Sequence, residues 1–313
     1  MLIPDSDPTP RLYVFLSVDI KDSTALKYGN SFEVNAWYDL FTDFYNKFPS
    51  KLNTWFKNCL PSFGISKEKE ISIWKYAGDE ILFYVEFIDV KELYAIIKSF
   101  EKTLNEWNSE QSYPIKLKGT IWLGQVPFID RRLLDDSSDK IVDFVGSSID
   151  CGFRIGKFSK LSGIVCSLEI VDLCISSNEF KFYYSKSERL KGVFGDIEYP
   201  IFYLKLSDDD IPAEKHLKSS FEKTIFETFI NEFYGMLTSH GSDKRDYSSM
   251  VSRIGNDIGN YLKLKKKISK TIMKKNKLVT DESMLKEAPQ RTSKKSDIDV
   301  DEIKKSFSMN DKE

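Results

Sequence analysis

Residues 11–24 read RLYVFLSVDIKDST. The stretch from Arg11 to Val18 is a near-continuous apolar run closed by Asp19, the pattern of a central strand buried on both faces. A carboxylate at the end of such a strand is costly to bury unpaired, and a bound cation would remove that cost. The alternative is a local cap, with Asp19 or Asp22 satisfying the start of the helix announced by Lys21-Asp22-Ser23-Thr24.

A second acidic anchor lies further on. Residues 71–76 (ISIWKY) and 81–88 (ILFYVEFI) are strand-like, and Ala77-Gly78-Asp79-Glu80 between them makes a β-hairpin. In a split β-α-β arrangement the end of the first strand and the tip of the next hairpin face each other. Two carboxylates there, Asp19 and Asp79, suit magnesium or manganese, which prefer hard oxygen ligands. Taken alone, Gly78-Asp79 is also an ordinary turn pair.

The remaining pattern extends this frame. Phe32, Trp37, Leu40, Phe41, Phe44, Tyr45 and Phe48 fall at helical spacing, and the helix is expected to stop at Pro49. Residues 89–107 read as a helix, 115–123 (IKLKGTIWL) as a half-buried strand, 146–158 as a helix and 163–167 as a strand. Residues 180–184 and 199–206 read as a last hairpin. The order β-α-β-β-α-β predicts an α+β fold of ferredoxin-like type, helices covering one face of a mixed sheet. Residues 1–10 read as a disordered polar tail and 11–206 as the catalytic domain. A helical extension is expected over 207–280, with Leu217, Phe221, Ile225, Phe229 and Phe233 four residues apart, and a disordered tail over 281–313.

Composition excludes several classes. Of 313 residues 41% are hydrophobic, enough for a packed core, and the net charge of -2 provides no general field for nucleic acid. The lysine-rich run near 263–277 could bind nucleic acid or anionic lipid but reads more simply as a solvated face. Cys59, Cys151, Cys166 and Cys174 form no CxxC pair, and most of them sit among apolar neighbours, as core thiols do. No apolar run spans a bilayer and no basic-then-apolar leader is present, so a reducing cytoplasm is expected.

Val18-Asp19-Ile20-Lys21-Asp22-Ser23-Thr24 and Lys75-Tyr76-Ala77-Gly78-Asp79 resemble the metal-binding strand and hairpin of class III nucleotidyl cyclases. Asp143–Arg154 (DFVGSSIDCGFR) resembles the family helix that follows a base-reading residue and ends in a catalytic arginine. Leu190-Lys191-Gly192 resembles its late LKG. The likeness covers roughly residues 11–206. It implies that Asp19 and Asp79, with Ile20, hold two divalent cations (Mg or Mn). It also implies that the backbone from Ile20 to Thr24, including Ser23 and Thr24, lies under the phosphates. Lys75 and Asp143 would read the base, Arg154 would stabilise charge at the α-phosphate, and Lys191 would neutralise the polyphosphate. In the family each site is shared between subunits, so a homodimer with composite sites is implied.

One position departs. Asp150 stands where adenylyl and guanylyl cyclases usually carry Asn, and an ionised Asp cannot donate to the ribose. Either the ribose is therefore held differently, or Asp150 contacts it through water, or the site is degenerate; the plain alternative is a solvent-facing residue. Residues 37–49 and 149–154 look most like the pyrimidine cyclases of bacterial Pycsar anti-phage defence, which make cyclic UMP or cyclic CMP for a separate effector. Tyr45 is the candidate aromatic that narrows the base pocket, against a plain reading as a core residue. Lys75 can donate to a uracil carbonyl and Asp143 can accept from N3–H, which favours UTP. Asp143 could equally accept from a cytosine amine. The competing readings are a cytidylate or adenylate cyclase, a diguanylate cyclase suggested by Ala77-Gly78-Asp79-Glu80-Ile81, and a cyclase-like nucleotide sensor without turnover.

Overall fold

The structure is a computed structural model. It describes residues 2–4, 11–28, 36–66, 68–110, 115–126, 130–175, 177, 179–193 and 198–206. The expected helical extension over 207–280 and tail over 281–313, with the lysine run, lie outside the described residues.

In chain order the elements are β1 (Leu2–Pro4), β2 (Arg11–Ile20), α1 (Ser23–Tyr28), α2 (Ala36–Cys59), a 3-10 turn (Leu60–Phe63), β3 (Ser72–Ala77) and β4 (Glu80–Phe87). There follow α3 (Val90–Ser109), β5 (Leu117–Val126), β6 (Asp130–Asp135), β7 (Ile141–Gly146), α4 (Ser147–Gly156), β8 (Gly163–Cys166), α5 (Leu168–Cys174), β9 (Phe182–Arg189) and β10 (Glu198–Lys205). Seven strands form one sheet in the order β3-β4-β2-β5-β8-β10-β9. All neighbours are antiparallel except β5 and β8. Its first four strands have the ferredoxin-like order, with β4 inserted antiparallel between β3 and β2. A second, three-stranded sheet runs β1-β6-β7.

The strand β2 is buried on both faces, as its composition requires. Val18 lies opposite Ile81 and Gly119 on the face where Phe100 and Leu104 of α3 pack; a side chain at Gly119 would collide with both. The opposite parity brings Phe15 onto Trp122, the rings stacked with centroids 5.5 Å apart. Helix α4 closes over this second face at Gly152, where a Cβ would stand 2.3 Å from the Trp122 ring. Helices therefore cover both faces, not one. The sequence gives the period of α4, but its side is set by glycine allowing close approach over an indole.

Two further expectations change. Helix α2 does not stop at Pro49; it continues to Cys59. Leu52, Phe56 and Cys59 extend its buried face, and burying such side chains, each worth roughly 1.5–3 kcal/mol, offsets the donor lost at proline. Asn53 then ties the helix to the sheet, donating to the Ile71 carbonyl at 3.0 Å and accepting from the Ile71 amide at 2.8 Å. Leu2–Pro4, inside the segment read as a tail, pair with Leu133–Asp135. The β6–β7 hairpin and α5 were not anticipated. All four cysteines are free and buried. No helix among the described residues is long and apolar enough to cross a membrane.

Candidate active site

Asp19 is the penultimate residue of β2 and falls directly opposite Glu80 on one side and Lys118 on the other. Asp79 is the second residue of the two-residue turn joining β3 to β4. Gly78 before it has φ +70°, which such hairpin turns favour and which a side chain would resist. The turn is tied to the end of β2 by the Ile20 amide, which donates to the Asp79 carbonyl at 3.2 Å. It is held from the side by Tyr45 of α2, whose hydroxyl donates to the Gly78 carbonyl and whose ring stands edge-on to Tyr76 at 5.0 Å. The hydroxyl of Ser23, buried at the start of α1, donates to the Asp79 carboxylate. Asp22, with φ +56°, makes the bend that aims α1 at the turn. Thr24 lies beside it, exposed.

Asp19 and Asp79 thus meet, as the sequence predicts. Burial pushes the Asp19 carboxyl above the usual carboxylate range; Lys118 opposes this, and the neighbouring Asp79 charge adds to it. Glu80 is raised for the same leading reason, with Ser17 and Lys118 opposing and both aspartates reinforcing it. Ser17 donates to the Glu80 carboxylate. Burial also pushes the Tyr45 phenol upward, followed by the Asp79 charge and Tyr76. Two crowded carboxylates disfavour joint ionisation, and a divalent cation relieves that crowding. No set of three or more metal-type side chains converges among the described residues. Two carboxylates with the remaining positions open is the donor set that fits magnesium shared with substrate phosphates.

The predicted base-reading pair also forms within the chain. Lys75 Nζ lies 2.6 Å from Asp143 Oδ1, which accepts as well from the Phe144 amide at 2.9 Å. A register shift between Ile73 and Lys75 lets Trp74 turn inward against Phe15 and Phe144, and the Lys75 ammonium stands 4.3 Å from the Trp74 ring centroid.

The late elements are placed differently. Asp150 and Arg154 lie on α4, the first exposed and the second half-buried, and Lys191 is exposed just after β9. None of the three side chains makes a hydrogen bond or ion pair with a described residue. The structure therefore brings Asp19, Ile20, Ser23, Tyr45 and Asp79 together, and separately Lys75 with Asp143. It links neither group to Asp150, Arg154 or Lys191.

Sequence reasoning missed Lys118, Glu80 as a site member, and Asp130. The alternation of 115–123 puts Lys118 on one face, but only register puts it on Asp19, at 2.8 Å. Asp130, fully buried, accepts from the amides of Ser148 and Ile149 at the start of α4 and from that of Gln125, so a carboxylate of β6 caps the helix carrying Arg154.

No protein-family model matches the chain, and no curated protein matches it in sequence. Among solved structures, the adenylyl cyclase CyaB from P. aeruginosa is similar at 16% identity, with 65% of this chain and 98% of that one covered and a TM-score of 0.44. The guanylate cyclase domain of RhGC from Catenaria anguillulae, in complex with GTP, is similar at 12% identity, covering 63% and 98%, with a TM-score of 0.45. The guanylyl cyclase Cya2 is similar at 14% identity, covering 67% and 98%, with a TM-score of 0.43.

Proposed function

We propose that this chain is a nucleotidyl cyclase that converts a nucleoside triphosphate to its 3',5'-cyclic monophosphate and pyrophosphate. The observation that carries this reading is the meeting of Asp19 and Asp79, from distant parts of the chain, beside the Ser23 hydroxyl at a helix start. Asp19 and Asp79, with the backbone at Ile20, would hold two divalent cations. Bound there, the cations would activate the ribose 3'-hydroxyl and neutralise the departing pyrophosphate. Ser23, Thr24 and the amides of the turn would lie under the phosphates. Arg154 would direct its permanently charged fork at the α-phosphate as charge builds on its oxygens, and Lys191 would neutralise the polyphosphate. Asp150 would position the ribose through water, since its carboxylate accepts but does not donate.

The functional unit would be a homodimer. Lys75 and Asp143 stand among apolar side chains left exposed in one chain: Ile73 at 38%, Val142 and Val145 at 42%, and Phe153 at 36%. Such a patch favours a protein partner. A second copy would bring Arg154 and Lys191 to the carboxylate pair.

The favoured substrate is UTP. A uracil inserted between Lys75 and Asp143 would part a 2.6 Å ion pair and replace it with a donor to its carbonyl and an acceptor for N3–H. Tyr45 would narrow the pocket against purines. By the same resemblance, the product would be a second messenger of anti-phage defence, made in the cytoplasm and read by a separate effector. The test is incubation of the protein and Mn²⁺ with UTP, CTP, ATP and GTP separately, with products identified by mass. Cyclic UMP as the main product is expected. Cyclic CMP or cyclic AMP would move the substrate assignment, and no product from any triphosphate would leave a nucleotide sensor.

A further inference from the structure

We propose that Lys118 is a built-in counter-cation of the carboxylate pair: it occupies Asp19 in the nucleotide-free protein, and a divalent metal must displace it. The inference rests on the reading of Asp19 and Asp79 as the metal-holding residues. Register fixes the position, because Lys118 is the direct cross-strand neighbour of Asp19. Its ammonium lies 2.8 Å from Asp19 Oδ2, and both side chains are largely covered, at 24% and 30% exposure. Among the described residues no other lysine or arginine pairs with Asp19, Asp79 or Glu80. One ammonium is therefore paired with Asp19, with Glu80 directly across the strand on the other side of Asp19.

A metal bound to Asp19 and the ammonium at its present place would be like charges sharing one ligand. Their repulsion is strong where water is partly excluded, so both cannot stay. The lysine is tethered and monovalent, so its four-carbon stem can swing the ammonium aside when a divalent ion arrives. Before that, it pairs with Asp19 across the β2–β5 ladder. Lys118 thereby sets the metal concentration at which the site fills.

The test is titration of the nucleotide-free, full-length protein with Mn²⁺, reading free Mn²⁺ by electron paramagnetic resonance. Wild type, Lys118→Met, Lys118→Gln, Lys118→Arg and Asp79→Ala are compared, with thermal melting to confirm folding. Removing the competing charge should lower the half-saturating Mn²⁺ concentration by about five- to tenfold in Lys118→Met and Lys118→Gln. Lys118→Arg should stay near wild type. Unchanged or weaker Mn²⁺ binding in the folded Met or Gln variant, with wild-type binding still lost in Asp79→Ala, overturns the role of Lys118 alone. Wild-type binding that is absent, or indifferent to Asp79→Ala, overturns the metal reading and this inference with it.

Discussion

The two ends of the proposed site differ in how far a single chain completes them. At the carboxylate end every group is braced: Asp79 by Ser23, the turn by Ile20 and Tyr45, Asp19 by Lys118, Glu80 by Ser17. On α4 and after β9, the side chains of Asp150, Arg154 and Lys191 make no hydrogen bond or ion pair with any described residue. A braced group loses little freedom when a ligand arrives, whereas a free arginine must be ordered at the moment of binding. The contrast is what the proposed composite site would show from one of its halves. In the proposed dimer the carboxylate half would be pre-organised within the protomer, and the charge-stabilising half would be completed by a surface of another copy.

The sharpest way to break this comparison is to cut each half separately. Asp79→Ala removes one of two carboxylates and should lower product formation by about 10³-fold or more while leaving a folded dimer by size-exclusion chromatography. Near-normal turnover would contradict the metal assignment. Arg154→Ala should cost about 10²–10³-fold in kcat and leave the melting temperature unchanged, because the side chain bonds to nothing among the described residues. Mixing the two inactive variants distinguishes shared from self-contained sites. If each site takes its carboxylates from one protomer and its arginine from the other, mixed dimers contain one intact site and activity returns. If all groups act within one chain, the mixture stays dead.

The same contrast explains what was legible in the sequence. The carboxylate end was readable because it rests on local signals: an acidic residue closing an apolar run, and a glycine turn between two strand-like runs. Lys118 was not, since a strand's alternation gives its faces but not the neighbour it will meet, and register alone decides that. The side of the sheet taken by α4 was hidden for a similar reason, as it depends on Gly152 lying over Trp122. Residues 130–146 were passed over because the charged run DRRLLDDSSDK breaks the alternation a hairpin usually shows. Helix α5 is only seven residues long, too short to declare a period.

Away from the carboxylates, Asp130 anchors the helix bearing Arg154. Burial pushes its carboxyl up to about 6 from 3.8, although the amides of Gln125, Ser148 and Ile149 pull the other way. Between about pH 4 and 6 the folded protein keeps a proton that the unfolded chain has lost. Its contribution is therefore complete below about pH 4 and is lost as pH rises through about 6, an amount on the order of 2–3 kcal/mol. Urea unfolding of wild type should show this downward slope, and Asp130→Asn should flatten it. An unchanged slope in the variant would mean that Asp130 is ionised throughout. The variant keeps one oxygen acceptor, so its nitrogen faces either the Gln125 amide or the two α4 amides; in the second orientation α4 should loosen and kcat fall more than KM rises.

The smallest expected effect separates two roles for Tyr45. Its hydroxyl braces the hairpin through the Gly78 carbonyl, while its ring is the proposed wall of the base pocket. Tyr45→Phe keeps the ring and removes one hydrogen bond at a partly exposed position, a loss of about 0.5–1.5 kcal/mol. If the hydroxyl matters only as a brace, kcat/KM should fall by the same few-fold for UTP and ATP, and their ratio should not move. Tyr45→Ala removes the ring as well, so a pocket walled by it should open and the ATP-to-UTP ratio should rise. A ratio that moves in Tyr45→Phe would instead assign the hydroxyl to base reading. A ratio unmoved in both variants would leave discrimination to Lys75 and Asp143 alone, and would make Tyr45 part of the braced carboxylate end rather than of the pocket.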